Sequence, residues 1–97
     1  MPTYIILFRY TREGITAMKD SPSRLEKVKQ VFKSVGGEMK AFYLTMGSYD
    51  GAVMAEFPND EACAKAALIV GGAGAVRSET LRAFTEEEYR ALIAELP

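Results

Sequence analysis

The alternation of apolar and polar side chains predicts four strands, the first of them at Thr3–Tyr10, where aromatic and β-branched residues dominate. One face of this strand consists of Tyr4, Ile6, Phe8 and Tyr10. The other face is apolar as well, because Ile5 and Leu7 lie on it. A strand that is apolar on both faces is covered on both faces, so we expect it in the centre of its sheet.

The segment after the first strand has apolar residues at helical spacing and predicts a helix. Ser21 is predicted to be the N-cap and Pro22 the first helical residue, after a linker at Thr11–Gly14. Gly36–Gly37 is expected to supply the left-handed residue that ends this helix. The apolar stripe that faces the sheet is formed by Leu25, Val28, Val31, Phe32 and Val35.

A β-hairpin is predicted next, with strands at Glu38–Met46 and Gly51–Phe57 and a four-residue turn, Gly47–Asp50, between them. A second, Ala-rich helix is expected from Glu61 to about Val70, closed by Gly71–Gly72.

The fourth strand, Val76–Phe84, is the most polar of the four. Thr85 begins a capping box with Glu88 and so caps a final helix, whose apolar stripe is Tyr89, Leu92, Ile93 and Leu96.

The order β-α-β-β-α-β with a terminal helix predicts an α+β fold of the ferredoxin-like type, a single domain over residues 1–97. Helices then cover one face of an antiparallel sheet. Since the first strand is apolar on both faces, the second sheet face needs a cover too. We expect another copy of the chain to provide it, which makes the protein a homo-oligomer.

Composition narrows the classes of function. Lys and Arg number 12 against 13 Asp and Glu, with no basic block, which argues against nucleic acid as a partner. The longest apolar run, Ala66–Val76, is interrupted by glycines and is too short to span a membrane. The first residues carry no basic signal-peptide region, so a cytoplasmic protein is expected. The chain has no histidine and one cysteine, Cys63, and we therefore predict neither a metal site nor a cofactor.

Several segments resemble the blocks of the GYD-domain family. The hairpin turn Met46–Asp50, approached through Lys40–Thr45, resembles the family signature, with Ser48 inserted in a literal Gly-Tyr-Asp. The likeness continues through Tyr10–Ile15, Lys19–Pro22, Pro58–Glu61 and Val76–Thr85. The resemblance implies a small ferredoxin-like protein, similar to dimeric α+β barrels, and it implies no particular activity.

The candidate site is the Gly47–Asp50 turn together with polar residues of the sheet. Gly and Asp suit a tight connection, so the turn has a purely structural interpretation, while Tyr49 beside an acid suits the rim of a pocket. A buried Glu beside Arg or Tyr would orient a polar ligand or move a proton. An ion-paired, partly exposed edge strand is the alternative. The predicted ligand-binding residues are Tyr43, Thr45, Tyr49, Asp50, Glu56 and Arg82, with Arg77 and Glu79 as further members of the polar set.

Two other features are interpreted as structural. Gly71–Gly74 follows a helix and lacks the Gly-Lys-Ser/Thr of a phosphate loop, and Cys63 has only Lys65 near it to activate a thiolate.

Three functions remain open at this stage. The first is a self-associating module that binds or senses a small metabolite. The second is a cofactor-independent enzyme that uses Tyr43 or Tyr49 with Glu56 or Asp50 in proton transfer. The third is a purely structural assembly protein, in which partner side chains fill the second sheet face.

Overall fold

The computed structural model describes residues 1–97 and contains one antiparallel sheet of four strands in the order β2-β3-β1-β4. The strands are β1 (Thr3–Tyr10), β2 (Glu38–Leu44), β3 (Gly51–Glu56) and β4 (Val76–Ala83). The helices are α1 (Arg12–Thr16), α2 (Ser21–Ser34), α3 (Asp60–Gly72) and α4 (Glu86–Ala94), and a short 3₁₀ turn, Met18–Asp20, joins α1 to α2. The ferredoxin-like fold and the interior position of β1 are therefore confirmed.

One face of the sheet packs against α2 and α3. Tyr4 and Phe8 of β1 point toward these helices and are 3 % and 7 % exposed. Phe57, just after β3, is fully buried, and its ring centroid lies 5.6 Å from that of Tyr4 and 5.0 Å from that of Phe32. The buried core consists of Tyr4, Phe8, Phe32, Val53, Ala55, Phe57, Ala62, Cys63 and Ala66.

The opposite face of the sheet, which we call the open face, has no helix over it. Residues that pair directly across antiparallel strands lie on the same face, so Ile5 shares the open face with its partners Met54 and Leu81. Met54 is 39 % and Leu81 43 % exposed. The open face includes Ile5, Leu7, Ala41, Tyr43, Ala52, Met54, Glu79 and Leu81. The centre of this face is thus an exposed apolar surface.

The terminal helix α4 extends away from the rest of the chain. No other element packs extensively against it, and its apolar residues Tyr89, Leu92 and Ile93 are exposed. The radius of gyration is 14.6 Å and the longest dimension 52 Å. A compact domain of this length has a radius of gyration of about 12.5 Å. The monomer is therefore elongated, with much apolar surface exposed.

Two predictions at the first helices are wrong. Thr11–Gly14 is not a linker, because α1 begins there with Thr11 as N-cap, its Oγ1 accepting a hydrogen bond from the Gly14 amide at 3.2 Å. Ser21 is not the N-cap of α2, because its φ of −60° and ψ of −36° are already helical. The N-cap is the preceding residue, Asp20. Gly36 does end α2 in the left-handed conformation, at φ +83°.

Other boundaries differ by a few residues. β2 ends at Leu44 and β3 begins at Gly51, so the connection between them is Thr45–Asp50, longer than the four residues predicted. The Thr45 amide donates to the Asp50 carbonyl at 2.9 Å and closes this connection. Gly71–Gly72 does not close α3 but forms its last turn, and Gly74 takes the left-handed conformation at φ +86°. The capping box of Thr85 and Glu88 at the start of α4 is confirmed.

Gly14 and Gly71 provide a matched pair for testing this packing. A Cβ on Gly14 would lie 2.1 Å from the Ala75 carbonyl oxygen, whereas a Cβ on Gly71 meets nothing within 4 Å. We expect Gly14→Ala to lower the free energy of unfolding by about 1–3 kcal/mol, since backbone must move. Gly71→Ala should raise it by up to about 1 kcal/mol, because alanine is the better helix former. Urea unfolding at one protein concentration measures both, and equal effects of the two substitutions would contradict the packing around α1.

Candidate functional site

The turn between β2 and β3 is held against the end of β1 by hydrogen bonds. The Asp50 amide donates to the Phe8 carbonyl at 2.8 Å, and Asp50 Oδ2 accepts from the Tyr10 amide at 2.9 Å. Thr45 Oγ1 donates to the Tyr49 carbonyl at 2.7 Å. The side chains of Thr45 and Asp50 are thus engaged with backbone groups, and this supports a structural role for both in shaping the turn.

Tyr49 extends from this turn across the open face to the edge strand β4. Its hydroxyl donates a hydrogen bond to Glu79 Oε2. The guanidinium carbon of Arg9, on β1, lies 4.5 Å from the centroid of the Tyr49 ring, and Arg9 Nε donates to the Ser48 carbonyl at 2.5 Å. We call Arg9, Tyr49 and Glu79 the Tyr49 cluster. These contacts join the β2–β3 turn to β4 across the open-face side of β1.

The cluster keeps the Tyr49 phenol protonated. The hydrogen bond to Glu79 raises the pKa of Tyr49 above its ordinary value, with smaller contributions in the same direction from desolvation and the Glu79 charge. The Arg9 charge acts in the opposite direction. Tyr49 is consequently a poor general base near neutral pH, and it acts as a hydrogen-bond donor.

Tyr43 and Glu56 lie on the open face but far apart. Tyr43 pairs with Ala52 near the turn, whereas Glu56 pairs with Glu38 at the opposite end of the same two strands. Four residues of β3 separate the two positions, which corresponds to about 13 Å. The predicted polar residues of the hairpin therefore do not converge on one point.

Arg82 lies on the other side of the sheet. It pairs with Tyr4, and its guanidinium carbon lies 5.6 Å from the Tyr4 ring centroid and 4.5 Å from that of Phe84. The Tyr4 hydroxyl donates to Asp60 at the start of α3. Burial and this hydrogen bond raise the pKa of Tyr4 to about 12. These contacts join β1, β4 and α3, so Arg82 belongs to the packing of the helix-covered face.

A cavity of about 560 Å³ lies between the sheet and helices α2 and α3. Of its 25 lining residues, 20 are hydrophobic. Phe42 and Val53 line it from the sheet, Val28 from α2, and Ala67 and Val70 from α3. The other five are Pro22 and the polar residues Ser21, Arg24, Lys27 and Ser78. None of the six predicted ligand-binding residues lines this cavity, and their role in binding stays a prediction.

Sequence reasoning missed the cavity because its lining residues have the periodicity of an ordinary core. The small side chains of α3 were the available signal, since alanines there leave space beneath the helix. Cys63 also lines the cavity, and burial raises the pKa of its thiol, which accords with the structural interpretation of this residue.

No group of three or more Cys, Asp or Glu side chains is placed to hold a metal ion, and no helix has the length and apolar character needed to cross a membrane.

The Tyr49 cluster makes opposite predictions for two substitutions. Glu79→Gln should lower the pKa of Tyr49 toward about 10, the usual value for a tyrosine, because the charged acceptor is lost. Arg9→Gln should raise it further, because the cation over the ring is lost. A pH titration followed by ¹³C NMR of labelled tyrosine ring carbons resolves Tyr49 from the other four tyrosines. Shifts of the same sign in both variants would contradict the geometry.

Comparison with known proteins places the chain among its relatives. The model of the GYD domain family matches residues 4–93. A protein of Thermus thermophilus named "Glutamine synthetase and cystathionine beta-lyase binding protein" is 31 % identical over 84 residues, which cover 86 % of this chain and 88 % of that protein. A crystal structure of a Thermus thermophilus protein is 21 % identical, with a TM-score of 0.49, and the match covers 88 % of this chain and 95 % of that one. The chain belongs to the GYD domain family.

Proposed function

We propose that this protein is a self-associating binding module that takes a small, mainly apolar molecule in the cavity between the sheet and helices α2 and α3. The cavity itself carries the proposal. Its volume of about 560 Å³ falls within the roughly 300–1,000 Å³ of small-molecule sites, and it combines an apolar lining with a few polar groups. The cavity opens to solvent, so its apolar side chains contact water when it is empty, and a bound apolar molecule would cover them.

The polar groups of the lining favour a neutral or anionic molecule. No carboxylate lines the cavity, whereas Arg24 and Lys27 of α2 do. Arg24 is already engaged, donating to the carbonyls of Ala17 at 2.7 Å and Gly14 at 3.2 Å. Lys27 makes no ion pair within the chain. A ligand with an apolar body and a polar or acidic end directed toward the start of α2 fits this distribution of charge.

A binding role accords better with the geometry than catalysis does. Proton transfer with Asp50 or Glu56 would require these acids at the cavity, but Asp50 binds the Tyr10 amide and Glu56 lies on the open face. The Thermus relative is named as a protein that binds two enzymes. By analogy, we propose that this chain also binds a protein partner and that occupancy of the cavity regulates that contact.

Self-association is the second part of the proposal, and the open face supports it. Met54, on the interior strand β3, and Leu81, on the edge strand β4, are more than one-third exposed. Only 12 of the 97 residues are buried in the monomer, which is few for a folded domain. A second copy over the open face would bury the side chains that no helix covers.

Occupancy of the cavity can be tested with two substitutions in the same helix. Ala67 lines the cavity, whereas Ala64 is exposed and lies outside it. We expect N-phenyl-1-naphthylamine, a neutral apolar fluorophore, to bind the wild-type protein and to slow the reaction of Cys63 with a thiol reagent. Ala67→Phe should weaken binding at least tenfold by filling the space, and Ala64→Phe should leave it unchanged. Equal binding by both variants would contradict the cavity proposal. Native mass spectrometry of protein from its own host would identify a retained ligand.

Self-association can be tested on the two faces separately. Met54→Lys places a charge at the centre of the open face, and Leu68→Lys places the same charge on an exposed position of α3. Sedimentation velocity at micromolar concentration should show an oligomer for the wild type and Leu68→Lys and a monomer for Met54→Lys. A monomeric wild-type protein would refute this part of the proposal.

A further inference from the structure

The open face carries two like-charged pairs of opposite sign, and its further carboxylate, Glu79, accepts the Tyr49 hydroxyl beside the basic pair. At the end beside the turn, Arg9 of β1 pairs directly with Arg77 of β4. At the other end, Glu38 of β2 pairs directly with Glu56 of β3. Six residues of β1 separate the two ends, a distance of about 20 Å. The basic pair and the acidic pair therefore occupy diagonally opposite corners of the sheet, with apolar residues between them.

Both corners place like charges side by side, which is unfavourable in an isolated sheet. Arg9 donates to the Ser48 carbonyl, but neither arginine has a carboxylate partner within 4.0 Å. Glu38 forms an exposed ion pair with Lys40 at 3.4 Å, and Glu56 forms none. Each corner thus keeps an excess of one sign that an opposite charge on another molecule would offset.

We propose that a second copy docks on the open face so that the Arg9 and Arg77 corner of each subunit lies over the Glu38 and Glu56 corner of the other. The occupant is the same chain, because one surface carries both complementary corners and a two-fold axis exchanges them. This inference rests on the self-association in the proposed function. It adds the orientation of the two subunits and the residues that select it.

The two-fold axis follows from the positions of the corners. An axis between the two sheets, along the diagonal that joins the uncharged corners, brings each basic corner over the partner's acidic corner. The strands of the two sheets then cross at a large angle, as in orthogonal sheet packing. Sheets pack about 10 Å apart, a gap that Arg and Glu side chains together span. An axis parallel to the strands would instead place the basic ends of both sheets at the same end of the dimer, away from the acidic corners.

The apolar centre and the charged corners have different tasks in this arrangement. Ile5, Met54 and Leu81 surround the centre of the sheet and stay in the interface whichever way the second copy is turned. Their burial supplies affinity. The corners lie at the rim, where ion pairs add little affinity but like charges exclude wrong orientations. The corners therefore select one orientation among several that the apolar centre would accept.

Reversal of charge at one corner tests the orientation. The substitution Arg77→Glu would place an acidic side chain against the partner's acidic corner at both symmetry-related contacts. We therefore expect it to raise the dimer Kd at least tenfold at low ionic strength. Adding Glu56→Arg to Arg77→Glu restores opposite charges and should return the Kd to near the wild-type value. Glu38→Arg combined with Arg77→Glu is a second restoring variant. Arg12→Glu, the same change at an exposed position of α1, should leave the Kd unchanged.

Sedimentation equilibrium over a range of salt concentrations measures each Kd, and circular dichroism reports the fold of each variant. Recovery in either double variant, with a difference that shrinks at high salt, supports the proposed orientation. An unchanged Kd for Arg77→Glu would refute the orientation and leave self-association intact, since the apolar centre supplies the affinity in any orientation. A loss that neither double variant repairs would also refute it. A monomeric wild-type protein would instead remove the self-association on which the orientation depends.

Discussion

The double pairing of β1 is the constraint on which the rest of the molecule depends. β1 is hydrogen-bonded to β3 on one side and β4 on the other, so its side chains alternate between two environments that both need filling. Tyr4 and Phe8 enter the core beneath the helices, and Ile5 and Leu7 enter the open face. The cavity, the open face and the Tyr49 cluster each include residues of β1.

The turn depends on the same strand. Asp50 receives the Tyr10 amide at the end of β1, and its own amide donates to the Phe8 carbonyl, so the turn is fastened from both sides. This attachment directs Tyr49 across Arg9 toward Glu79. Asp50 thus holds the turn against β1, and the Tyr49 side chain links this fixed turn to the edge strand β4. Such a link resists slippage of β4, which is paired with one neighbour only.

The two faces of the sheet have separate tasks in the function that we propose. The helix-covered face borders an apolar cavity within one subunit, and the open face would present its apolar centre and charged corners to a second copy. In this proposal, a ligand that changes the packing of α2 or α3 would act on the open face through the strands that both faces share. This shared sheet offers a physical route by which occupancy of the cavity would act on assembly or on a protein partner.

Local sequence patterns determined most elements of this protein, because strand alternation, helical spacing and caps such as Thr85 depend on neighbouring residues. They missed α1, a helix of five residues whose Gly14 is required by the close approach of the Ala75 carbonyl. Tertiary structure alone decided which polar residues meet, since strand pairing sets both register and face. Tyr49 and Glu79, which are 30 residues apart, come together only through that pairing. The cavity likewise forms only where the sheet meets α2 and α3, so no single segment of the sequence predicts it.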